Sequence, residues 1–162
     1  MLSFHVDYWN RLGWTDPYSS AYSTQRQRAY AKASGNDQVY TPQMIVNGDV
    51  EFVGSDSKKA AAAIDGALRQ ATPTKVKVKA TAEKGNSVRV EYIVVGQAKG
   101  TVLNIAAVVP LASNEVPRGE NSGRTLKHVN VEGRHHRLCS RPPDAAYQRR
   151  DPSCTVKLRL YL

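Results

Sequence analysis

His5 and Asp7 are the first residues in the chain whose types and spacing suit chemistry. They sit in the alternation Leu2-Ser3-Phe4-His5-Val6-Asp7-Tyr8-Trp9. On a strand they share one face, with Cα atoms about 7 Å apart. An imidazole there can lower the pKa of a nearby thiol and favour the thiolate. A carboxylate beside it can accept a proton or orient the ring. No Ser or Cys in a defined nucleophile motif completes a triad. The structural alternative has Asp7 capping the next loop and His5 bonded to backbone. Cys139 and Cys154 have 14 residues between them and form no Cys-x-x-Cys. They suit a disulfide in an oxidising compartment. His135-His136 followed by Cys139 and one distant Cys is not a standard zinc spacing. No metal and no cofactor is predicted.

A second group suits binding. Tyr8, Trp9, Trp14, Tyr18, Tyr22 and Tyr40 form a dense aromatic set. Such rings bury much area and keep a polar edge, which fits a groove for an extended peptide. The plainer reading is that they pack a long loop onto the domain. Thr41-Pro42-Gln43 follows Val39-Tyr40 and precedes Met44-Ile45-Val46. A proline there cannot donate to a sheet ladder, so it marks an entry, an edge or a cis bond. With Pro42 cis, the edge flanked by Thr41 and Gln43 can take a peptide as an added strand.

The elements that must position these residues can be read from period and punctuation. Residues 2–8 alternate as a strand, and Asp7 to Pro17 is a loop broken by Gly13 and Asp16-Pro17. Ser19 or Ser20 caps a helix to about Ala33, which Gly35 ends. Tyr22, Arg26, Ala29 and Ala33 share one of its faces, and Arg26, Arg28 and Lys32 give a solvated basic flank. Residues 39–46 and 50–53 form a hairpin around Asn47-Gly48, the strongest short-range hairpin signal. Ser55 or Asp56 caps a second helix, with Ala63, Ile64, Ala67 and Leu68 as its apolar stripe.

Beyond Thr72-Pro73 the period changes to two. Val76 and Val78 alternate with lysines, and Val88, Val90, Tyr92 and Val94 alternate likewise, with a turn from Glu83 to Ser87. Thr101 to Val109 is a third strand, and Val156 to Leu160 is the candidate for a last one. The lysines best fit protection of an edge strand. Gly119-Glu120-Asn121-Ser122-Gly123-Arg124 reads as a tight turn ordered by Glu120 and Arg124, and lacks the context of a phosphate loop. The fold class is α+β. Residues 1–71 make the first part, 72–131 a small antiparallel β-rich segment, and 132–162 an atypical basic tail.

The order strand, helix, strand broken at Thr-Pro, hairpin and helix resembles the second half of a thioredoxin-like domain. The runs Leu2 to Trp9, Leu12-Gly13-Trp14 with Asp16-Pro17, Gln27-Arg28-Ala29-Tyr30, Val39 to Met44 and Phe52-Val53-Gly54-Ser55-Asp56 narrow the resemblance. Gly119 to Arg124 and His128-Val129-Asn130-Val131 add to it. Together, over about residues 2 to 131, they are similar to secreted bacterial thioredoxin-like proteins of domain of unknown function 1223. The resemblance implies an incomplete thioredoxin-like domain. Complete members are expected to carry a signal peptide, a first strand and a Cys-x-x-Cys that faces the cis-proline. It also implies thiol–disulfide exchange on exported proteins, in the periplasm or outside the cell. The alternative is a redox-inactive module that binds peptides or proteins at the proline edge.

Charge singles out the tail. The net charge is +9, and Arg134 to Leu162 contribute seven basic and two acidic residues to it. A tail rich in Arg, Pro, His and Cys suits a GC-rich gene read in a shifted frame from about residues 131–134. The competing readings are a basic arm for nucleic acid or an anionic membrane, and a disordered or lineage-specific end. Nucleic acid is not the favoured partner, and the oligomeric state is not legible. No apolar run approaches the ~20 residues that span a bilayer. Met1 opens on an inner strand without a leader, so the chain as written reads as cytoplasmic. An insulin-reduction assay on this chain should show no turnover. Clear activity, lost when Cys139 is replaced, would overturn that expectation.

Overall fold

The computed structural model describes residues 1–36, 38–84, 87–96, 102–139 and 153–159, with backbone alone for 134–139 and 153–159. The chain is α+β and divides into two units. One comprises Met1–Gln70 with Asn104–His136, the other Ala71–Leu103 with Arg137–Leu162.

In the first unit, β1 (His5–Val6) pairs in parallel with β2 (Ser19–Ser20), joined by a loop with one 3-10 turn at Asn10–Leu12. The strand expected over 2–8 is thus shorter. Asn10 N–H bonds back to the Asp7 carbonyl and ends the extended run, while Ser3 makes a separate parallel bridge to Val131. Helix α1 spans Ala21–Ala33, and the Ser20 hydroxyl accepts from Ser23 N–H. That cap satisfies one of the free donors of the first turn.

The buried face of α1 is Ser23, Thr24, Gln27 and Ala31. It replaces the expected face of Tyr22, Arg26, Ala29 and Ala33, and Tyr22 is exposed. Three of the four buried residues are polar, so this helix is placed by hydrogen bonds more than by an apolar stripe. The basic flank is also not merely solvated. Arg26 lies 4.8 Å from the Phe4 ring centroid and donates to Tyr30 Oη at 2.9 Å.

Strand β3 (Gln43–Val46) and β4 (Val50–Val53) form the hairpin. Asn47 and Gly48 both take positive φ (51° and 87°), as the turn between right-twisted strands requires. Val39 to Pro42 lies outside the strand, and the Thr41–Pro42 bond is cis. Helix α2 (Ser57–Arg69) is capped by Asp56, whose carboxylate accepts from Lys59 N–H. Its stripe is covered only in part: Ala63 and Ala67 are half-buried, while Ile64 and Leu68 are exposed.

Strand β5 spans Thr74–Glu83, β6 Ser87–Gly96, β7 Val102–Glu115, β8 Thr125–Cys139 and β9 Ser153–Arg159. One antiparallel sheet has the order β5-β6-β9, and β7 pairs with β8. The lysine-rich β5 is at a sheet edge, with Lys79 opposite Glu91. Val76 and Val78 on it are exposed. Gly96 has φ 112°, and a Cβ there would stand 2.0 Å from the Pro73 carbonyl oxygen, so the strand end excludes any side chain. The tail supplies β9, with Val156 opposite Val90. Thr101, Leu160, Arg141-Pro142-Pro143 and Arg149-Arg150 lie outside the described residues, as do the side chains of His135, His136, Cys139 and Cys154. In the turn before β8, Arg124 reaches Asn121 Oδ1 at 3.5 Å in place of the expected Glu120.

Candidate functional site

Two polar clusters form in the first unit. The first surrounds the Thr41–Pro42 bond. Gln27, projecting from the buried face of α1, donates from Nε2 to the Tyr40 carbonyl at 2.7 Å and to Gln43 Oε1 at 3.0 Å. Its Oε1 accepts from Tyr8 Oη at 3.0 Å. Gln43 Nε2 donates to Glu51 Oε2 at 2.5 Å, and Tyr40 Oη donates to the same oxygen at 2.6 Å. The residues on either side of Thr41–Pro42 are thus fixed to one helix and one strand. The donors run one way, from the Tyr8 hydroxyl through both carboxamides to the Glu51 carboxylate. Bonds from Tyr40 and Gln43 hold the Glu51 carboxyl below its ordinary range. Burial and the bond to that carboxylate push the Tyr40 phenol up.

Outside this network the ledge is open. Trp9 Nε1 donates to Thr41 Oγ1 at 2.9 Å, and the indole remains 44% exposed. Thr41 and Pro42 are exposed as well. The Pro42 carbonyl accepts from Gly54 N–H at 2.8 Å. Of the residues expected to bind, the structure brings together Trp9, Thr41, Pro42 and Gln43. Trp14 lies instead beside Gly119.

The second cluster contains His5 but not Asp7. Asp7 bonds to Thr24, receiving its hydroxyl at 2.5 Å and giving its own N–H to the same oxygen. His5 Nδ1 faces Asp16 Oδ2 at 2.6 Å. An ionised carboxylate can only accept, so the proton is on Nδ1. Asp16 Oδ1 accepts from Tyr18 N–H at 2.9 Å and from Asn114 Nδ2 at 3.4 Å. Burial raises the Asp16 pKa, but the bonds from His5 and Tyr18 outweigh it and the net shift is downward. The His128 ring stands edge-on to His5, centroids 4.6 Å apart, and Tyr18 closes the group. His128 Nε2 is buried and has no hydrogen-bond partner among the described residues. Burial and the His5 charge lower its pKa, against a smaller opposing pull from Asp16.

Sequence reasoning missed Gln27, Glu51, Asp16, Asn114 and His128 as site residues. Asp16 and His128 stand within the quoted family runs, and the Asp16-Pro17 turn signal was visible. Their pairing with His5 depends on contacts more than 100 residues apart in the case of His128. Among the described residues no group of three His, Cys, Asp or Glu is arranged to hold a metal. No helix among them is long and apolar enough to cross a membrane.

The fold and site define an α+β protein with a polar-braced proline ledge. Residues 1–156 match the family described as protein of unknown function (DUF1223), and the chain belongs to it. It is similar to the crystal structure of protein AGR_C_4864 from Agrobacterium tumefaciens, with 29% sequence identity and a TM-score of 0.68. That match covers 98% of this chain and 63% of the other. No curated protein matches the chain.

Two outcomes follow from the clusters. Gln27→Leu keeps the bulk but strips partners from the Tyr8 hydroxyl and the Tyr40 carbonyl. It should destabilise the fold by about 2–3 kcal/mol in urea unfolding; a cost within about 0.5 kcal/mol would show that water replaces the hub. For pH, His128 binds its proton less well folded than at the ordinary 6.5. Its contribution to stability is complete above that value and is lost as pH falls below it toward the folded pKa. The Asp16 contribution is complete above 3.8 and is lost as pH falls through its lower folded value. Melting temperature should therefore decline in two stages on acidification. His128→Phe should flatten the upper stage alone, and an unchanged upper slope would overturn the assignment.

Proposed function

We propose that this chain is a thioredoxin-like, polypeptide-binding protein of the cell envelope. Its docking surface is the ledge of Trp9, Thr41 and Pro42. The observation that carries this reading is the bond from Trp9 to Thr41, which fixes an exposed indole in one orientation beside the proline. A ring fixed before binding loses little freedom on binding, so more of its contact energy is realised as affinity. The order of elements around the ledge supports the thioredoxin-like assignment.

In complete family members we infer thiol–disulfide exchange at the same surface. A cysteine thiolate attacks one sulfur of a substrate disulfide, forming a mixed disulfide and releasing the other sulfur as a thiolate. A second cysteine thiolate then attacks the mixed disulfide, reducing the substrate and leaving the Cys-x-x-Cys oxidised. The chain here spans 63% of the similar Agrobacterium protein and carries no Cys-x-x-Cys. For these residues the activity is binding, with exported proteins as the partner class.

Calorimetric titration with carbamidomethylated insulin B chain, an extended polypeptide without free thiols, tests this. Saturable binding is expected, weakened about tenfold or more by Trp9→Ala, which corresponds to about 1.4 kcal/mol. Thr41→Val, which removes the acceptor for the indole, should weaken it less. No saturable heat, or binding indifferent to Trp9→Ala, would overturn the reading.

A further inference from the structure

Beside the ledge stands a guanidinium that makes no ion pair among the described residues. Arg11, exposed on the 3-10 turn, places its Cζ 5.7 Å from the Trp9 ring centroid. The turn is fixed by bonds from Asn10 N–H to Asp7 O and from Leu12 N–H to Trp9 O, both 3.0 Å. The ion pairs among the described residues are His5–Asp16, Lys59–Asp56, Lys79–Glu91 and Arg89–Glu83, and none involves Arg11. The carboxylates bonded around the ledge have other partners: Asp7 has Thr24, and Glu51 has Tyr40 and Gln43.

A guanidinium held over an indole presents an N–H edge that can still donate. That edge matches a carboxylate in a two-point pairing that a lysine cannot make. Resting on the polypeptide-binding reading above, we propose that the polypeptide received at the Trp9–Thr41–Pro42 ledge is acidic and that Arg11 takes its carboxylate. Trp9 thus acts twice, as the aromatic contact and as the platform that aims Arg11. Nucleic acid fits less well. A phosphate backbone gains affinity from a row of cations, each neutralising one phosphate. This ledge offers Arg11 and not such a row.

The test uses the full chain and three capped peptides identical except for three central residues: Glu, Gln or Lys. A single-stranded oligothymidylate is the fourth ligand. In calorimetric titrations at low salt the Glu peptide should bind about tenfold tighter than the Gln peptide, and the Lys peptide weakest. Arg11→Gln should reduce the Glu-over-Gln preference to about twofold or less while Gln-peptide affinity persists. Arg69→Gln, the same charge change at the end of α2, should preserve the preference. Equal affinity for Glu and Gln peptides overturns this inference and leaves polypeptide binding standing. Binding by none of the peptides overturns both. An equal loss in Arg11→Gln and Arg69→Gln reduces the effect to net charge and overturns the assignment to Arg11. Tighter binding of oligothymidylate than of the Glu peptide overturns it in favour of nucleic acid.

Discussion

The Gln27 carboxamide is the interaction on which the arrangement of the ledge depends. It joins three segments distant in sequence: the end of the β1 region at Tyr8, helix α1, and the chain on both sides of Pro42. A buried carboxamide left without partners is costly, so its burial and its three bonds stand or fall together. This also explains why α1 turns a polar face inward. Ser23 meets the Ser20 cap, Thr24 holds Asp7, and Gln27 holds the proline turn. An apolar face would bury well, but it would not specify where Tyr40 and Gln43 sit.

The buried apolar set among the described residues of the first unit is small: Ala31, Phe52, Ala112, Val116 and Val131. Burial of that kind is non-directional, and several packings can satisfy it. Hydrogen bonds select among them because each has a required direction. The Asp16 carboxylate plays this part in the second cluster. Its two oxygens receive donors from β1, from its own turn and from β7, and its carbonyl receives the Ser19 hydroxyl. The histidine cluster is therefore both a fastening and a set of groups that respond to protons. Its ring contacts bring two imidazoles together around a single carboxylate, and a second positive charge is disfavoured there.

The parts of this structure legible from sequence are those set by local chemistry. Ser20 and Asp56 cap helices because their side chains accept from N–H groups within the next turn. Asn47-Gly48 makes the hairpin because both residues adopt positive φ. Two-residue alternation marked β5 and β6, and Val156 to Leu160 anticipated β9 although only pairing with β6 gives it a partner. Less legible was whatever depends on distant partners. His5 and Asp7 share a predicted strand face, yet the chain leaves the strand after Val6, and each finds a different partner. The polar inner face of α1 defeats a reading by hydrophobic period, since Gln27 is buried for its bonds and not for its transfer energy. The partly exposed stripe of α2 shows the converse: periodicity reports amphipathic potential, not what covers it.

The direction of the ledge network adds one step. The run from Tyr8 through Gln27 and Gln43 points toward Glu51, with one branch from Gln27 to the Tyr40 carbonyl, so the carboxylate polarises both carboxamides in the same sense. Bonds aligned in this manner strengthen one another in a partly buried setting. The negative end of that chain lies at Glu51, under two donors. Arg11, over the Trp9 ring, stands by the other end, since the Tyr8 and Trp9 rings are 5.3 Å apart. An approaching chain meets an indole and a guanidinium, while the Glu51 carboxylate is occupied by two donors. Rigidity at this surface comes from the hydrogen bonds through Gln27, and its positive charge from Arg11 on the adjoining 3-10 turn.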